Sequence, residues 1–271
     1  MKGSRRGASA TGHRPAVGAS TTRELRAIPI RGIGEVSPGD SLAETILEAL
    51  RRQKRRLARG DILVVTHKIV SKAEGAVVPL ARVTPSAKAR RWAHRHELDP
   101  RAVELALSEG RRIVRMARGV IITETRQGLV CANSGVDLSN VDGGTSAVLL
   151  PRDPDRSARA LHRALKRKLG LSIPVIVADS FGRPWREGLC EVAIGAAGLR
   201  VLRDFRGRRD PYGYRLRVTV EAVADELASL AGLVCGKLAR TPACIIRGFP
   251  YQPGRGGAGD LIRPAARDLF R

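Results

Sequence analysis

Residues 175–188, VIVADSFGRPWREG, join a run of apolar residues to side chains that can carry metal or phosphate chemistry. The apolar run predicts a buried strand that ends at Asp179, and the residues after it predict a polar loop. A carboxylate in this position is a candidate ligand for Mg²⁺ or Mn²⁺. Arg183 and Arg186 follow in the loop, and guanidinium groups are suited to binding phosphate or carboxylate. A cluster of structural salt bridges is the alternative interpretation.

A second segment rich in oxygen atoms, ANSGVDLSNVDGG, spans residues 132–144 and follows another predicted strand. Asn, Asp, Ser and Gly are common turn formers, so a polar turn is one interpretation and a site for a hard cation is the other. The spacing excludes an EF-hand. Taken with Asp179, Asp137 would give the two carboxylates that a Mg²⁺ site with substrate phosphates requires, which favours a phosphoryl-transfer site.

The chain lacks the common glycine-rich phosphate loops. It contains no G-x-x-x-x-G-K-[ST] motif, and RGIGEV has only the first glycine pair of G-x-G-x-x-G. A bound nucleotide would therefore be held by residues outside a glycine-rich phosphate loop. His67 is a candidate because it follows the strand predicted at 62–65, beside Lys68 and Lys72, and loops that leave strand ends are common ligand positions.

The elements that must position these groups mix helices, hairpins and buried strands in an irregular order. Ser41 and Glu44 form a capping-box pattern at the start of a helix. Helices are predicted over 38–60, 84–110 (a pair), 153–170 and the second part of 214–238, strands at 62–65, 171–180 and 241–249, a β-meander over 112–135 and a loop over 66–75. This order favours an α+β fold with mixed sheets, hairpins and packed helices over a doubly wound sheet.

Composition places the chain among folded proteins of a reducing compartment. Hydrophobic residues make up 43% of the 271 residues, and the four cysteines form no C-x-x-C pair, which fits a cytoplasmic protein. No apolar run approaches the ~20 residues that span a bilayer, so no membrane partner is predicted. Residues 1–26 lack apolar periodicity and predict a disordered basic tail, followed by one folded domain over 27–271.

The net charge of +23 points to anionic partners. Nucleic acid and phosphorylated small molecules are both candidates, and the arginine usage of a high-GC genome is a third explanation. Aromatic residues make up only 3% and are not interleaved with the basic runs, which weakens a stacking platform for nucleic acid. No sequence-specific nucleic-acid partner is therefore predicted.

Several long motifs, in order, resemble those of the coenzyme F420-0:L-glutamate ligase family. They are VVTHKIVSKAEG (64–75), ITETRQGLVCANSGVDLSNV (122–141), LLPRDPDRSA (149–158), ADSFGRPWREG (178–188), GRRDPYGYRL (207–216), VADELASLAGLVCGKL (223–238) and RDLF (267–270). The resemblance implies a homodimer that uses GTP to add L-glutamate to coenzyme F420-0. It also implies Mg²⁺ or Mn²⁺, as one or two ions, and brings K⁺ into consideration.

The same resemblance assigns residues to the site. It places the nucleotide along the stretch from Cys235 onward and along Ile33, Gly34, Glu35, Val36, His67, Lys68, Lys72 and Asn140. It assigns Asp137 and Asp179 to a divalent metal and Ser180 to a second one. It implies that GTP phosphorylates the carboxylate of the precursor, and that the glutamate amine then displaces phosphate. No protein nucleophile is required.

Lys237 departs from the pattern, because many members carry Gln there and use it to hold the second metal. A protonated lysine has no lone pair and cannot ligate a cation. We therefore expect Lys237 to contact a nucleotide phosphate and to lower the dependence on a second ion. The alternative is a lysine that points to solvent. Two other functions remain open from the sequence: a basic nucleic-acid-binding protein, and a metal-dependent kinase that makes acyl phosphates without ligating glutamate.

Overall fold

The computed structural model describes residues 24–269. Its strands are β1 (Arg26–Pro29), β2 (Ile62–Thr66), β3 (Val77–Pro79), β4 (Gly110–Ala117), β5 (Val120–Thr125), β6 (Val130–Ala132), β7 (Ser146–Val148), β8 (Val175–Arg183), β9 (Arg186–Ala197), β10 (Arg203–Asp204), β11 (Val220–Glu221) and β12 (Ala243–Arg247). Its α-helices are α1 (Leu42–Arg52), α2 (His67–Ala73), α3 (Ala87–His96), α4 (Pro100–Glu109), α5 (Pro154–Leu169) and α6 (Val223–Cys235).

The largest sheet has five strands in the order β1-β12-β2-β8-β9. Strands β2 and β8 run parallel, and the other neighbouring pairs are antiparallel. Because side chains alternate across a strand, Leu63 and Val65 join the core beneath α1, α2 and α5, while Ile62 and Val64 join the core beneath α6. Helices thus cover both faces of this sheet.

Smaller antiparallel sheets flank the large one. Strands β4, β5 and β6 form the predicted meander, and α3 and α4 pack against it through Ala89, Ala93 and Val103. Strands β3 and β7 pair with each other, as do β10 and β11. The predicted α+β fold with mixed sheets, hairpins and packed helices is confirmed.

Four local predictions were wrong. The helix predicted to continue to Gly60 ends at Arg52. The segment predicted as a loop after β2 forms helix α2. The polar stretch after Asp179 is a hairpin, because β9 pairs with β8 as far as Arg183 and satisfies its backbone. Ser41 does occupy the N-cap of α1, but its side chain makes no capping bond, and the carboxylate of Glu44 pairs with Lys168 instead.

Strand β1 is the edge strand at one side of the large sheet. It begins at Arg26 and pairs with β12 along its whole length. The disordered tail predicted over 1–26 lies mostly outside the described residues, which begin at Glu24. None of the helices within 24–269 is both long and apolar enough to cross a membrane.

Candidate functional site

A cavity of about 840 Å³ opens where the parallel pairing of β2 with β8 ends, at Thr66 and Ala178. The carboxyl ends of parallel strands are common positions for ligand sites. The start of α2 and the end of α6 form two of its walls. The predicted residues that line it are Ile33, Gly34, Glu35, Val36, His67, Lys68, Lys72, Asn140, Asp179, Ser180 and Lys237. The structure therefore brings together residues that are far apart in the chain.

Lys68 and Lys72 connect α2 to two neighbouring segments. They lie four residues apart and therefore on one face of the helix. Lys68 Nζ donates to the Ser139 hydroxyl at 2.7 Å, while Lys72 Nζ donates to the Glu35 carboxylate and to the Asn140 carbonyl, the latter at 3.3 Å. Both lysines thus already hold groups with negative or partly negative oxygens at the edge of the cavity.

Asp137 lies next to the cavity rather than among the residues that line it. Its Oδ2 is 2.7 Å from Lys68 Nζ, and its Oδ1 accepts from the backbone N–H of Ser139. Burial acts to raise the pKa of Asp137, but the hydrogen bonds from Lys68 and Ser139 outweigh it and hold the pKa below its usual value. Asp137 is therefore an anion, and a metal ion bound to it would compete with the ammonium of Lys68.

Asp179 lies inside the cavity beside a buried histidine. Its Oδ1 accepts from the N–H of Ser180 at 2.7 Å and lies 3.3 Å from Nε2 of His67. The direction of that second contact does not suit a hydrogen bond, so the buried Nε2 has no hydrogen-bond partner in the described part of the chain. Within residues 24–269, Oδ2 of Asp179 also has no partner. Oδ2 of Asp179, and Nε2 of His67 in the tautomer that leaves it unprotonated, can each offer a lone pair to a bound cation.

The charge of Asp179 also acts on a neighbouring thiol. Burial, and secondarily the Asp179 carboxylate, raises the pKa of Cys131 to about 12. Cys131 is therefore a neutral thiol at ordinary pH.

Ser180 points to the other face of β8 and meets a carboxylate that the sequence did not predict. The Ser180 hydroxyl donates to Glu191 Oε1 at 2.5 Å, and Lys237 Nζ donates to the same oxygen at 2.7 Å. Lys237 also donates to the Ser180 hydroxyl. Glu191 lines the cavity because it lies directly opposite Ser180 in the hairpin register. Only a prediction of that register could have identified it.

The two arginines predicted as anion contacts do not line the cavity. Arg183 folds across the turn between β8 and β9, where its Nη2 donates to the carbonyl of Glu187 at 2.7 Å. Arg186 begins β9 and is exposed. The structure therefore uses Arg183 to brace the hairpin turn.

The arrangement suits a divalent ion bound together with phosphate more than a metal site made of protein alone. Within the described range 24–269, no three His, Cys, Asp or Glu side chains converge on one point. Mg²⁺ is commonly held by one or two carboxylates and completed by water and substrate phosphates. Asp179, with its free oxygen, and Asp137, after release of Lys68, fit that role.

Comparison with known proteins identifies relatives of this chain. The chain matches the model of one family, F420-0:Gamma-glutamyl ligase, over residues 32–248. It is 47% identical to the coenzyme F420:L-glutamate ligase of Methanopyrus kandleri, over 91% of this chain and 98% of the relative. The proteins of the same name from Methanothermobacter thermautotrophicus and Methanocaldococcus jannaschii are 46% and 42% identical, over 90% and 78% of this chain and 98% and 85% of the relatives.

The fold and these matches together define a ligase. The chain belongs to the F420-0:gamma-glutamyl ligase family, whose model covers most of the folded domain.

Proposed function

We propose that this protein is a GTP-dependent ligase that joins L-glutamate to coenzyme F420-0 through an acyl phosphate. The carrying observation is the cavity at the ends of β2 and β8, where Asp179 lies among the cations Lys68, Lys72 and Lys237. A site that combines a metal-binding carboxylate with several ammonium groups suits a polyphosphate substrate. The relatives from Methanopyrus kandleri and Methanothermobacter thermautotrophicus bear the name coenzyme F420:L-glutamate ligase.

The cavity has room and chemistry for a nucleotide. Its volume of about 840 Å³ lies within the range common for small-molecule sites. Buried Ile33 and Val36 offer apolar surface for a base, and the lysines at the start of α2 offer charge for phosphates. The carbonyl and carboxylate partners of Lys72 lie at the rim, so the lysine can turn to a phosphate without leaving a buried group unpaired.

The reaction proceeds in two transfers. A carboxylate oxygen of the precursor attacks the γ-phosphorus of GTP, and GDP leaves. The glutamate amine then attacks the carbonyl carbon of the acyl phosphate, and phosphate leaves as the amide forms. Lys68, Lys72 and Lys237 bind and orient the phosphates, and Asp137 and Asp179 would hold Mg²⁺ or Mn²⁺, which neutralises charge on the transferring group. The residues present give no separate assignment for K⁺.

A labelled-substrate assay tests this proposal. The protein is incubated with GTP, Mn²⁺, isotope-labelled L-glutamate and coenzyme F420-0, and the products are read by mass. We expect an amide product that carries the label, one GDP and one phosphate per bond. Hydroxylamine added in place of glutamate traps an acyl phosphate as a hydroxamate. A hydroxamate in this second incubation, together with no labelled amide in the incubation with glutamate, would support the acyl-phosphate kinase and contradict the ligase.

We also propose that the protein is a homodimer, because large apolar side chains are exposed in two places. Tyr212 and Val218 are exposed between β10 and β11, and Leu233 and Leu238 are exposed at the end of α6. Apolar surface of this kind marks protein interfaces when it forms a continuous patch. The expected result in sedimentation equilibrium is a mass near twice 29.2 kDa. A monomer at micromolar concentration would contradict the proposal.

The high positive charge leads to a separate prediction about nucleic acid. Binding to DNA or RNA should be independent of sequence and should weaken by at least tenfold between about 50 and 200 mM salt, because phosphate contacts release counterions. Fluorescence anisotropy with two unrelated duplexes measures both properties. Tight binding to one duplex alone at physiological salt would instead support the nucleic-acid-binding alternative.

A further inference from the structure

We infer that the ammonium group of Lys237, positioned by Glu191, is a built-in cation for a nucleotide phosphate and takes the place of a second divalent ion. The inference rests on the proposed binding of GTP. It assigns a role to Glu191, and it predicts one divalent ion for each bound nucleotide.

The residues around Ser180 do not fit a second divalent ion. The Ser180 hydroxyl donates its proton to Glu191 and accepts from Lys237. A hydroxyl has one proton and two lone pairs, so this oxygen is largely committed to its protein partners. An ion placed on it would also lie next to the positive Lys237, and the repulsion would disfavour both charges.

Glu191 is well placed to hold the ammonium group in position. Its side chain is only 15% exposed, while that of Lys237 is 63% exposed. Helix α6 also holds the backbone of Glu191, because the Ser229 hydroxyl donates to the backbone carbonyl of Glu191 at 2.8 Å. Gly232 leaves space for the side chain, since a Cβ there would lie 2.4 Å from Glu191 Cγ. A partly buried carboxylate with these supports can orient a lysine on the open side of the cavity.

Lys237 keeps one N–H group free for a phosphate. An ammonium group has three donors, and Glu191 and Ser180 take two of them. Lys237 lines the cavity, and its side chain is 63% exposed, so the remaining donor is accessible to a ligand. Arg240 lines the same wall and adds a second fixed positive charge. This wall therefore offers permanent cations where a metal ion would otherwise be needed.

The test counts metal ions directly and does not depend on turnover. Mn²⁺ is titrated into the full-length protein saturated with the β,γ-imido analogue of GTP, and bound Mn²⁺ is counted by electron paramagnetic resonance. We expect one Mn²⁺ per chain. Lys237→Gln should bind two Mn²⁺, and its affinity for the analogue at limiting Mn²⁺ should fall about tenfold, since a charge-assisted contact is lost.

Two further variants separate positioning from other effects. Glu191→Gln keeps the shape but removes the charge that orients Lys237, so we expect a severalfold loss of analogue affinity with one Mn²⁺ still bound. Lys166→Gln removes an exposed cation on α5, away from the cavity. This variant should change neither the number of bound Mn²⁺ ions nor the affinity for the analogue. If Glu191→Gln bound no Mn²⁺, Glu191 would be a metal ligand and the inference would be wrong.

The outcomes distinguish this inference from the proposed function. Two Mn²⁺ per chain in the parent protein would overturn the inference and leave the GTP-dependent ligase intact. If Lys237→Gln kept both the Mn²⁺ count and the analogue affinity of the parent protein, the inference would also be overturned and the GTP-dependent ligase would remain intact. No binding of the analogue under any metal condition would contradict the proposed use of GTP, and with it the inference.

Discussion

Asp179→Asn is expected to reduce glutamate ligation by roughly 10³-fold while the protein remains folded. The amide keeps the shape of the side chain and can still accept from the N–H of Ser180. It loses the negative charge that a divalent ion requires, and the ion is expected to neutralise the transferring phosphoryl group. The loss should appear in kcat and in the affinity for Mn²⁺ measured with the GTP analogue.

A matched control for this variant is Asp204→Asn. Asp204 is a surface residue of β10, and its ion pair with Arg206 is solvent-exposed. The same chemical change there should leave ligation within about twofold of the parent, since exposed ion pairs contribute little. Near-parental activity of Asp179→Asn at low Mn²⁺ would remove Asp179 from the metal site. Asp137→Asn should also lose ligation, and in that variant Lys68 loses its ionic partner.

Local patterns predicted the elements that have strong periodicity. The apolar strand at the start of β8 and the amphipathic α5 were both identified from their own residues. The pattern failed where tertiary pairing decided the structure. Helix α2 is short and follows β2 without a break, and its buried Ile69 and Val70 are held by packing against the core. The hairpin after Asp179 forms because β9 supplies partners for a polar strand.

The candidate site also contains residues that local sequence patterns predict and residues that only the tertiary structure reveals. Asp179 could be singled out because it ends an apolar run, whereas most of the residues assigned to a nucleotide are implied only by resemblance to the ligase family. No local sequence pattern predicts a role for Glu191, since the strand in which it lies is not predicted from the sequence. It became visible only when the register placed it opposite Ser180 and beside the end of α6. Residues whose role depends on a cross-strand neighbour need the pairing before they can be predicted.

A buried carboxylate far from the cavity gives the largest expected effect on stability. Asp61 precedes β2, and its side chain is 1% exposed. Arg247 at the end of β12 donates to both of its oxygens, each at 2.8 Å, and the Ala58 N–H donates to Oδ2. The pair joins segments 186 residues apart. It therefore fastens β12, and with it the edge strand β1, to the centre of the sheet.

Arg247→Met should lower the free energy of unfolding by about 3 kcal/mol, because it leaves the buried Asp61 carboxylate without its counter-charge. We place the loss at the low end of the usual range, since the Arg247 side chain is itself 42% exposed. Urea unfolding followed by circular dichroism measures the change. Adding Asp61→Asn to Arg247→Met should recover part of the loss, because the neutral amide can still accept from Ala58 and no unpaired charge remains.

Arg26→Met is the control for this prediction. Arg26 lies directly opposite Arg247 in the β1–β12 register. Arg26 forms an ion pair with Glu24, and both of these side chains are exposed to solvent. The same substitution one strand away should therefore leave the free energy of unfolding nearly unchanged, since exposed ion pairs contribute little. Equal losses in Arg26→Met and Arg247→Met would mean that both act through the packing of their aliphatic stems. The pairing of Asp61 would then contribute little, and the double variant would show no recovery.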